Sequence, residues 1–100
     1  MNNPHTRLRV TMLDGEIIQC HIAADTVEKV IFRLGPERVL SVDDNNMLIS
    51  RFQLSSSSRQ FDKVGEYYIS RDLRNEHKKA CLDRIAERLG VSMKVEIIPK

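Results

Sequence analysis

Apolar and polar residues alternate in two short runs near the start of the chain. The runs cover residues 8–13 and 16–22, and they flank the pair Asp14-Gly15. Two alternating runs around an Asp-Gly pair predict a β-hairpin with a type I′ turn, because both central residues of that turn need a positive φ. The alternation places one set of side chains on the predicted inward face, namely Leu8, Val10, Met12, Ile18, Cys20 and Ile22.

The next stretch has the period of an amphipathic helix. Apolar residues recur at helical spacing across residues 27–34, and the glycine that follows ends the pattern. Asp25 with Glu28 three residues later has the form of a capping box, and Thr26 is the alternative cap. Residues 36–40 begin with a proline, which is favoured at the first position of a helix, so we predict a second, short helix there.

The second half of the chain predicts three more strands and one more helix. Residues 47–52, 66–70 and 91–98 have the composition of strands. Residues 75–89 carry an apolar stripe at helical spacing, open with an asparagine suited to a cap, and are followed by a glycine. Residues 55–65 show no periodicity, so we predict an exposed loop there.

This order of elements predicts an α+β fold built on one sheet. We expect a single antiparallel or mixed sheet of about five strands, with two helices packed on it. With 100 residues, of which 41% are hydrophobic and 30% charged, the chain has the size and composition of one globular domain. Residues 1–6 are predicted to form a flexible arm, and residues 7–99 are predicted to form the α+β domain.

Charge and cysteine content narrow the class of protein. Sixteen Lys and Arg against fourteen Asp and Glu leave a net charge of +2, which excludes a histone-like polycation and an acidic mimic of nucleic acid. No apolar run approaches ~18 residues, and the polar N-terminus lacks the apolar core of a signal peptide, so we expect no membrane partner. Cys20 and Cys81 stand far apart in the sequence, which predicts two buried, reduced thiols and a cytoplasmic location.

Several short motifs, taken in order, resemble a small bacterial module. They run from Leu8 to Ile98 and include Thr11-Met-Leu-Asp-Gly15, Tyr67-Tyr-Ile69 and Lys94-Val-Glu-Ile-Ile98. Modules of this kind occur in uncharacterised proteins and in restriction- or defence-type proteins, often at their C-terminal ends. The resemblance implies an α+β fold and a role near nucleic acid or the enzymes that act on it. Its matching positions are mostly turn, cap and core residues, so it implies no catalytic residue.

Candidates for catalysis are sparse. His77 and Cys81 are four residues apart on a predicted helix and share a face, a spacing that a thiol nucleophile and its base would also have. Glu76 and Lys78 with an upstream aspartate are residue types of a Mg²⁺-dependent nuclease, but they fall in the first turn of a helix rather than on rigid strands. A helix-flank histidine beside a core cysteine, and a glutamate at a helix N-terminus, explain both patterns more simply. We therefore expect no enzyme activity, no catalytic residue, no cofactor and no metal site.

A basic segment, residues 51–79, is the better candidate for function. It holds seven basic and four acidic side chains, a net charge of +3, and it includes the serine-rich loop. Tyr67 and Tyr68 are adjacent on a predicted strand, so one faces the core and the other faces out, where it can stack on a base or anchor a protein. The predicted binding residues of the basic segment are Arg51, Arg59, Lys63, Tyr67, Arg71, Arg74 and Lys78.

Two functions are compatible with these features. The first is a non-catalytic, nucleic-acid-associated module that contacts DNA or RNA directly or targets a DNA-processing or defence partner. The alternative is a protein-interaction or self-association domain, including a homodimer or an inhibitor of a host or phage defence enzyme, because residues 47–52 and 91–98 are predicted strands with free edges. A helix-turn-helix across residues 26–40 is disfavoured, since its second helix is short and begins with residues that contact a DNA groove poorly.

Overall fold

Within the residues that the computed structural model describes, the chain forms six strands and three helices. The described residues are 6–43, 47–52, 61–71 and 73–99. The predicted α+β class is confirmed. In chain order the elements are β1 (Thr6–Met12), β2 (Ile17–Ile18), α1 (Ala23–Leu34), α2 (Pro36–Val42), β3 (Ile49–Ser50), β4 (Phe61–Val64), β5 (Tyr67–Ser70), α3 (Asn75–Leu89) and β6 (Met93–Pro99).

The first sheet joins the two ends of the described chain. Its strand order is β2-β1-β6, and both pairings are antiparallel. β1 and β6 pair along their full length of seven residues, from Thr6 opposite Pro99 to Met12 opposite Met93. Thr6 therefore belongs to the sheet, although the sequence places it at the end of the predicted arm.

The β1–β2 hairpin differs from the predicted type. A type I′ turn has two central residues, whereas here the Met12 N–H donates to the Glu16 carbonyl at 2.8 Å and closes a loop of three residues. Gly15 in that loop has a φ of 91°, a conformation that glycine adopts without a steric penalty. β2 then ends after Ile17–Ile18, and Ile22, which the sequence predicts to face inward, is 47% exposed.

A second three-stranded sheet corrects the prediction of one five-stranded sheet. Its order is β3-β5-β4, and both pairings are antiparallel. Residues 61–64 form β4, although the sequence shows no periodicity there and predicts a loop. β4 turns into β5 at Gly65, whose φ is 63°. Since β1 and β5 each have a partner on both sides, neither central strand can pair across to the other sheet.

The core is shared by the helices and both sheets. α1 and α3 pack against the first sheet, and α2 contacts α1, α3 and β3, so that α2 connects the second sheet to the rest of the molecule. None of the helices in the described part of the chain is long and apolar enough to cross a membrane. The fully enclosed apolar side chains come from all these layers and include Leu8, Val10, Val27, Val30, Ile31, Val39, Leu48, Ile49 and Leu82.

The start of α1 lacks the predicted capping box. Its first turn makes no side-chain cap hydrogen bond. The Asp25 carboxylate instead accepts a hydrogen bond from Arg71, and the Thr26 hydroxyl accepts one from the Cys20 N–H at 2.9 Å. Both candidate caps are thus used to hold α1 against other parts of the fold, which a pattern of neighbouring residues does not reveal.

The predicted bounds of α3, residues 75–89, are confirmed, but its predicted N-cap is wrong. The N-cap is Arg74, so the predicted cap Asn75 lies inside the helix and is buried. The Asn75 side-chain amide donates to the Thr6 hydroxyl at 2.7 Å and so connects α3 to the first sheet. At the other end the helix stops at Gly90, which has a left-handed conformation, as predicted.

Candidate binding surfaces

Two of the predicted binding residues, Arg51 and Tyr67, meet at a carboxylate of α2. Both donate hydrogen bonds to the same oxygen of Glu37. The Arg51 guanidinium also lies over the Tyr67 ring, 5.7 Å from its centroid, within the range of cation–π attraction. The Tyr67 ring is buried, whereas the Glu37 side chain is 58% exposed, so the phenol connects the core with the surface.

This contact shifts two pKa values. The hydrogen bond from Tyr67, and after it the interaction with Arg51, holds the pKa of Glu37 below its ordinary value of 4.5. The same hydrogen bond raises the pKa of Tyr67 above its ordinary value of 10.0. Tyr67 therefore keeps its proton at neutral pH, and Glu37 stays ionised beside Arg51. The Tyr67 phenol and the Arg51 guanidinium both donate to Glu37, and this contact competes with the binding of an external phosphate.

Arg71 lies among three carboxylates. Its guanidinium is 2.9 Å from Asp25 and 3.9 Å from Glu28, both on α1, and 3.4 Å from Asp62 on β4. The Arg71 side chain is 26% exposed. Three negative charges around one positive charge leave this region with a local negative balance, which repels phosphate. Arg71 thus connects α1 to the second sheet.

The other predicted residues of the basic segment differ in exposure. Lys78 is 1% exposed and lies on the buried face of α3, where a surface ligand has no access. Lys63 on β4 and Arg74 at the start of α3 are exposed. Arg59 lies outside the described residues. Of the predicted cations that the structure describes, Lys63 and Arg74 are the two that are exposed and make no ion pair with another described residue.

The residues considered for catalysis are divided between surface and core. His77 is exposed, whereas Cys81, one turn later on α3, is 5% exposed. Glu76 is exposed and Lys78 is buried, so the nuclease-like pair is separated in the same way. Among the described residues, no group of three His, Cys, Asp or Glu side chains is placed to hold a metal ion. Cys20 is half-buried rather than buried as predicted.

An open cavity of about 400 Å³ lies beside the β1–β2 loop. Its apolar lining includes Met12 and Leu34, and its charged lining includes Arg33 and Arg38. The Arg33 guanidinium, however, is already 2.7 Å from the Glu16 carboxylate and 3.4 Å from the Asp14 carboxylate. The cavity therefore offers apolar surface without a free, buried polar group to orient a ligand.

Strand β6 has one open edge. It stands at the end of the first sheet, and among the described residues no strand pairs with it on the side away from β1. The β1–β2 hairpin fixes which backbone groups face which side, because the Met12 N–H points towards β2 to reach Glu16. Backbone groups alternate in direction along an antiparallel strand, so the N–H and C=O groups of Arg7, Arg9 and Thr11 point towards β6.

The same alternation continues across β6. Opposite those three β1 residues lie Lys94, Glu96 and Ile98. Their N–H and C=O groups point towards β1 and form the hydrogen bonds of this pairing. The N–H and C=O groups of the intervening residues point to the open edge, and these residues are Met93, Val95 and Ile97. The β6 edge, defined by these last three residues, thus presents a regular ladder of donors and acceptors.

Side chains on β6 separate into a core face and an outer face. Val95 is 4% exposed and belongs to the core. On the outer face, Glu96 accepts a hydrogen bond from Arg9 at 3.2 Å, and the Lys94 ammonium is 3.9 Å from the same carboxylate. The sequence predicts this strand and its free edge but no site residue on it. The alternation of apolar and polar residues shows which side chains share a face of the strand. Which backbone groups stay free depends instead on which strands pair with β1.

Comparisons of the chain with models of known protein families, with curated proteins and with solved structures found no match. The resemblance to restriction- and defence-type modules therefore stays a prediction. The geometry of the molecule itself has to carry any assignment of function.

Proposed function

We propose that this protein is a non-catalytic binding module that takes up an extended segment of a protein partner as an added strand beside β6. The observation that carries the proposal is the β6 edge, a ladder of free backbone groups on a strand of seven residues. Added strands bind through main-chain hydrogen bonds and gain specificity from alternate side chains. The proposed location is the cytoplasm, which agrees with Cys20 and Cys81 forming no disulfide.

The surroundings of the β6 edge define the strand that would fit it. On the core face, a partner strand meets the half-buried Met93 and Ile97 and the buried Val95, which favours apolar side chains there. On the outer face it meets Lys94 and Glu96, so its own charges must alternate in the opposite sense. Pro99 lacks an N–H, which limits the added ladder at that end.

The basic segment gives less support to direct recognition of nucleic acid. Arg51 and Arg71 are neutralised by carboxylates, and Lys78 and Tyr67 are buried. These four are the majority of the predicted binding residues. Phosphate recognition relies on exposed, unpaired cations, because the release of counterions from the nucleic acid supplies most of the affinity.

Binding of a synthetic strand tests the proposal directly. A fluorescently labelled peptide with the sequence of residues 93–98 carries the required alternation of apolar and charged side chains. We expect saturable binding by anisotropy, with a dissociation constant on the order of 10 to 100 µM for a short flexible strand.

A pair of N-methylated peptides provides the matched control. Methylation at the residues equivalent to Met93, Val95 and Ile97 removes the donors that face the edge, so binding should be lost. Methylation at the intervening residues affects donors that face solvent and should retain measurable binding. Absence of binding by the unmethylated peptide would overturn the proposal.

Direct contact with DNA or RNA is a second candidate, favoured by Lys63 and Arg74, which are exposed and make no ion pair with a described residue. It would connect the protein with the DNA-processing partners that the resemblance implies. The test is anisotropy of labelled duplex and single-stranded DNA at about 50 and 200 mM salt, where phosphate contacts give a steep loss of affinity.

Charge-matched single variants make that test specific. Lys63→Glu and Arg74→Glu should each weaken binding strongly, while Lys29→Glu, the same charge change at an exposed lysine on α1, should preserve most of it. No binding of native protein at the lower salt concentration would sink this candidate and leave the β6 edge as the proposed function.

A further inference from the structure

We propose that the occupant of the β6 edge is β6 of a second copy of this chain. Two copies would then form a homodimer with one continuous six-stranded sheet, in the order β2-β1-β6 followed by the partner's β6-β1-β2. This inference rests on the proposed function, since it names the partner of the same edge. It follows from the complementarity of β6 to itself in one particular register.

Backbone geometry restricts how two copies of β6 can pair. In an antiparallel pair about a twofold axis, the residues whose backbone groups point outward must lie opposite one another. For β6 these are Met93, Val95 and Ile97. An axis through Val95 places it opposite the partner's Val95 and places Met93 opposite the partner's Ile97. All three of these residues then form hydrogen-bonded pairs.

Charge selects the same register. With the axis through Val95, Lys94 lies directly opposite the partner's Glu96, and symmetry repeats this pair. An axis through Lys94 would place Lys94 opposite the partner's Lys94, and an axis through Glu96 would place Glu96 opposite the partner's Glu96. Unlike charges that face each other across two strands stabilise a sheet, and like charges destabilise it.

The position of Lys94 allows it to reach a partner. Its side chain is 75% exposed, and its ammonium group is 3.9 Å from its own strand's Glu96. A lysine on an edge strand ordinarily prevents pairing with other chains. A partner strand with an acidic residue opposite Lys94 instead pairs favourably with it. In the proposed register, β6 of a second copy is such a strand, because it places its Glu96 opposite Lys94.

The apolar side chains are compatible with this arrangement. A twofold axis perpendicular to the sheet keeps both cores on the same face. Met93, which packs against the core of its own copy, then faces the partner's Ile97 on that side. Val95, at 4% exposure, lies next to the partner's Val95 on the axis. The joined sheets thus continue one apolar layer, while the charged side chains stay on the outer face.

Charge reversal at two positions tests the register. Sedimentation velocity over low micromolar to near-millimolar protein should show a dimer for the native chain. Lys94→Glu makes both outer residues acidic, and Glu96→Lys makes both basic, so each variant should raise the dimer dissociation constant about tenfold or more. An equimolar mixture of the two variants should restore dimers, because each acidic strand then faces a basic one.

Two controls separate pairing from folding. Lys63→Glu introduces the same charge change on β4, away from the edge, and should leave the dimer unchanged. Glu96→Lys also removes the pair with Arg9, so thermal unfolding must show that the variant still folds. Lys94→Glu keeps that pair and is the cleaner of the two single variants.

Hydrogen exchange provides a residue-level readout. The amides of Met93, Val95 and Ile97 should exchange slowly in the dimer and much faster on dilution to monomer. The amides of Lys94, Glu96 and Ile98 should be protected in both states, because β1 holds them.

The outcomes distinguish this inference from the proposed function. A native dimer that both single variants weaken and their mixture restores supports it. A native chain that stays monomeric at every concentration, or a dimer insensitive to both reversals, overturns it. If the chain is monomeric but binds the peptide of residues 93–98, the edge accepts a strand from another protein. If neither association occurs, the proposed function falls as well.

Discussion

The β6 edge and the basic segment differ in what the fold leaves available for binding. The basic segment has a charge surplus in the sequence, but Arg71 meets three carboxylates and Arg51 meets Glu37. β6 has no such surplus, yet its backbone groups stay open along one side. A surplus counted along a segment is thus a poor measure of surface charge, because folding brings acidic side chains from distant helices against it.

The largest expected effect concerns the buried cation of the basic segment. Lys78→Ala removes a side chain that is 1% exposed, and we expect a loss of more than about 2 kcal/mol in the free energy of unfolding, because a cavity forms and buried packing is lost. Lys63→Ala, an equivalent change at an exposed site, should alter it by less than about 0.5 kcal/mol. Urea unfolding measures both. Similar values for the two variants would show that Lys78 is a surface residue after all.

A smaller effect is expected at Arg71. Arg71→Ala leaves Asp25, Glu28 and Asp62 without their shared cation, so their mutual repulsion should lower the unfolding free energy by about 1 kcal/mol. The loss should shrink at high salt, which screens exposed charges. Arg74→Ala is the matched control, because the exposed Arg74 makes no ion pair with a described residue. An equal effect of both substitutions would contradict a connecting role for Arg71.

The smallest effect is a pKa change at Glu37. Tyr67→Phe removes the hydrogen bond that is the main reason for the lowered pKa, so the pKa of Glu37 should rise towards 4.5 in an NMR titration. Tyr68→Phe, on the same strand, should leave it unchanged. A Glu37 pKa that does not respond to loss of the Tyr67 hydroxyl would place the cause elsewhere.

The same contact predicts a dependence of stability on pH. The pKa of folded Glu37 lies below its ordinary value, so this group contributes stability above about pH 4.5 and loses it as the pH falls through the folded-state pKa. As the pH falls below about 4.5, the free energy of unfolding should therefore decrease less for the Tyr67→Phe variant than for the native protein. Denaturant unfolding at a series of pH values measures this difference.

Local patterns predicted most of the elements and several helix ends, but not the contacts of the predicted cap residues. Helical spacing identified α1 and α3, and a proline identified the start of α2. The predicted cap residues Asp25, Thr26 and Asn75 instead contact other elements. A short polar side chain suits a helix start and a tertiary hydrogen bond equally well, so the sequence alone cannot choose between the two uses.

The candidate site was only partly predictable for a similar reason. Residues 91–98 were predicted to form a strand with a free edge, and the structure assigns Met93–Pro99 to β6 at the end of a sheet. The basic segment was predicted to bind because of its net charge, its serine-rich loop and its paired tyrosines. The carboxylates that pair with Arg51 and Arg71, however, lie on α1, α2 and β4. Side-chain partners across the fold have no signature in a local pattern.

The sequence by itself determined the α+β class, the helix stripes, the stop at Gly90 and the inward face of β1, because these follow from periodicity and from the φ that single residues allow. The tertiary structure alone decided that there are two sheets, that Lys78 is buried, and which backbone groups of β6 stay free. These features depend on which strands become neighbours and which distant side chains meet. Such choices are set by the packing of the whole core, since local preferences are equally well satisfied in several arrangements.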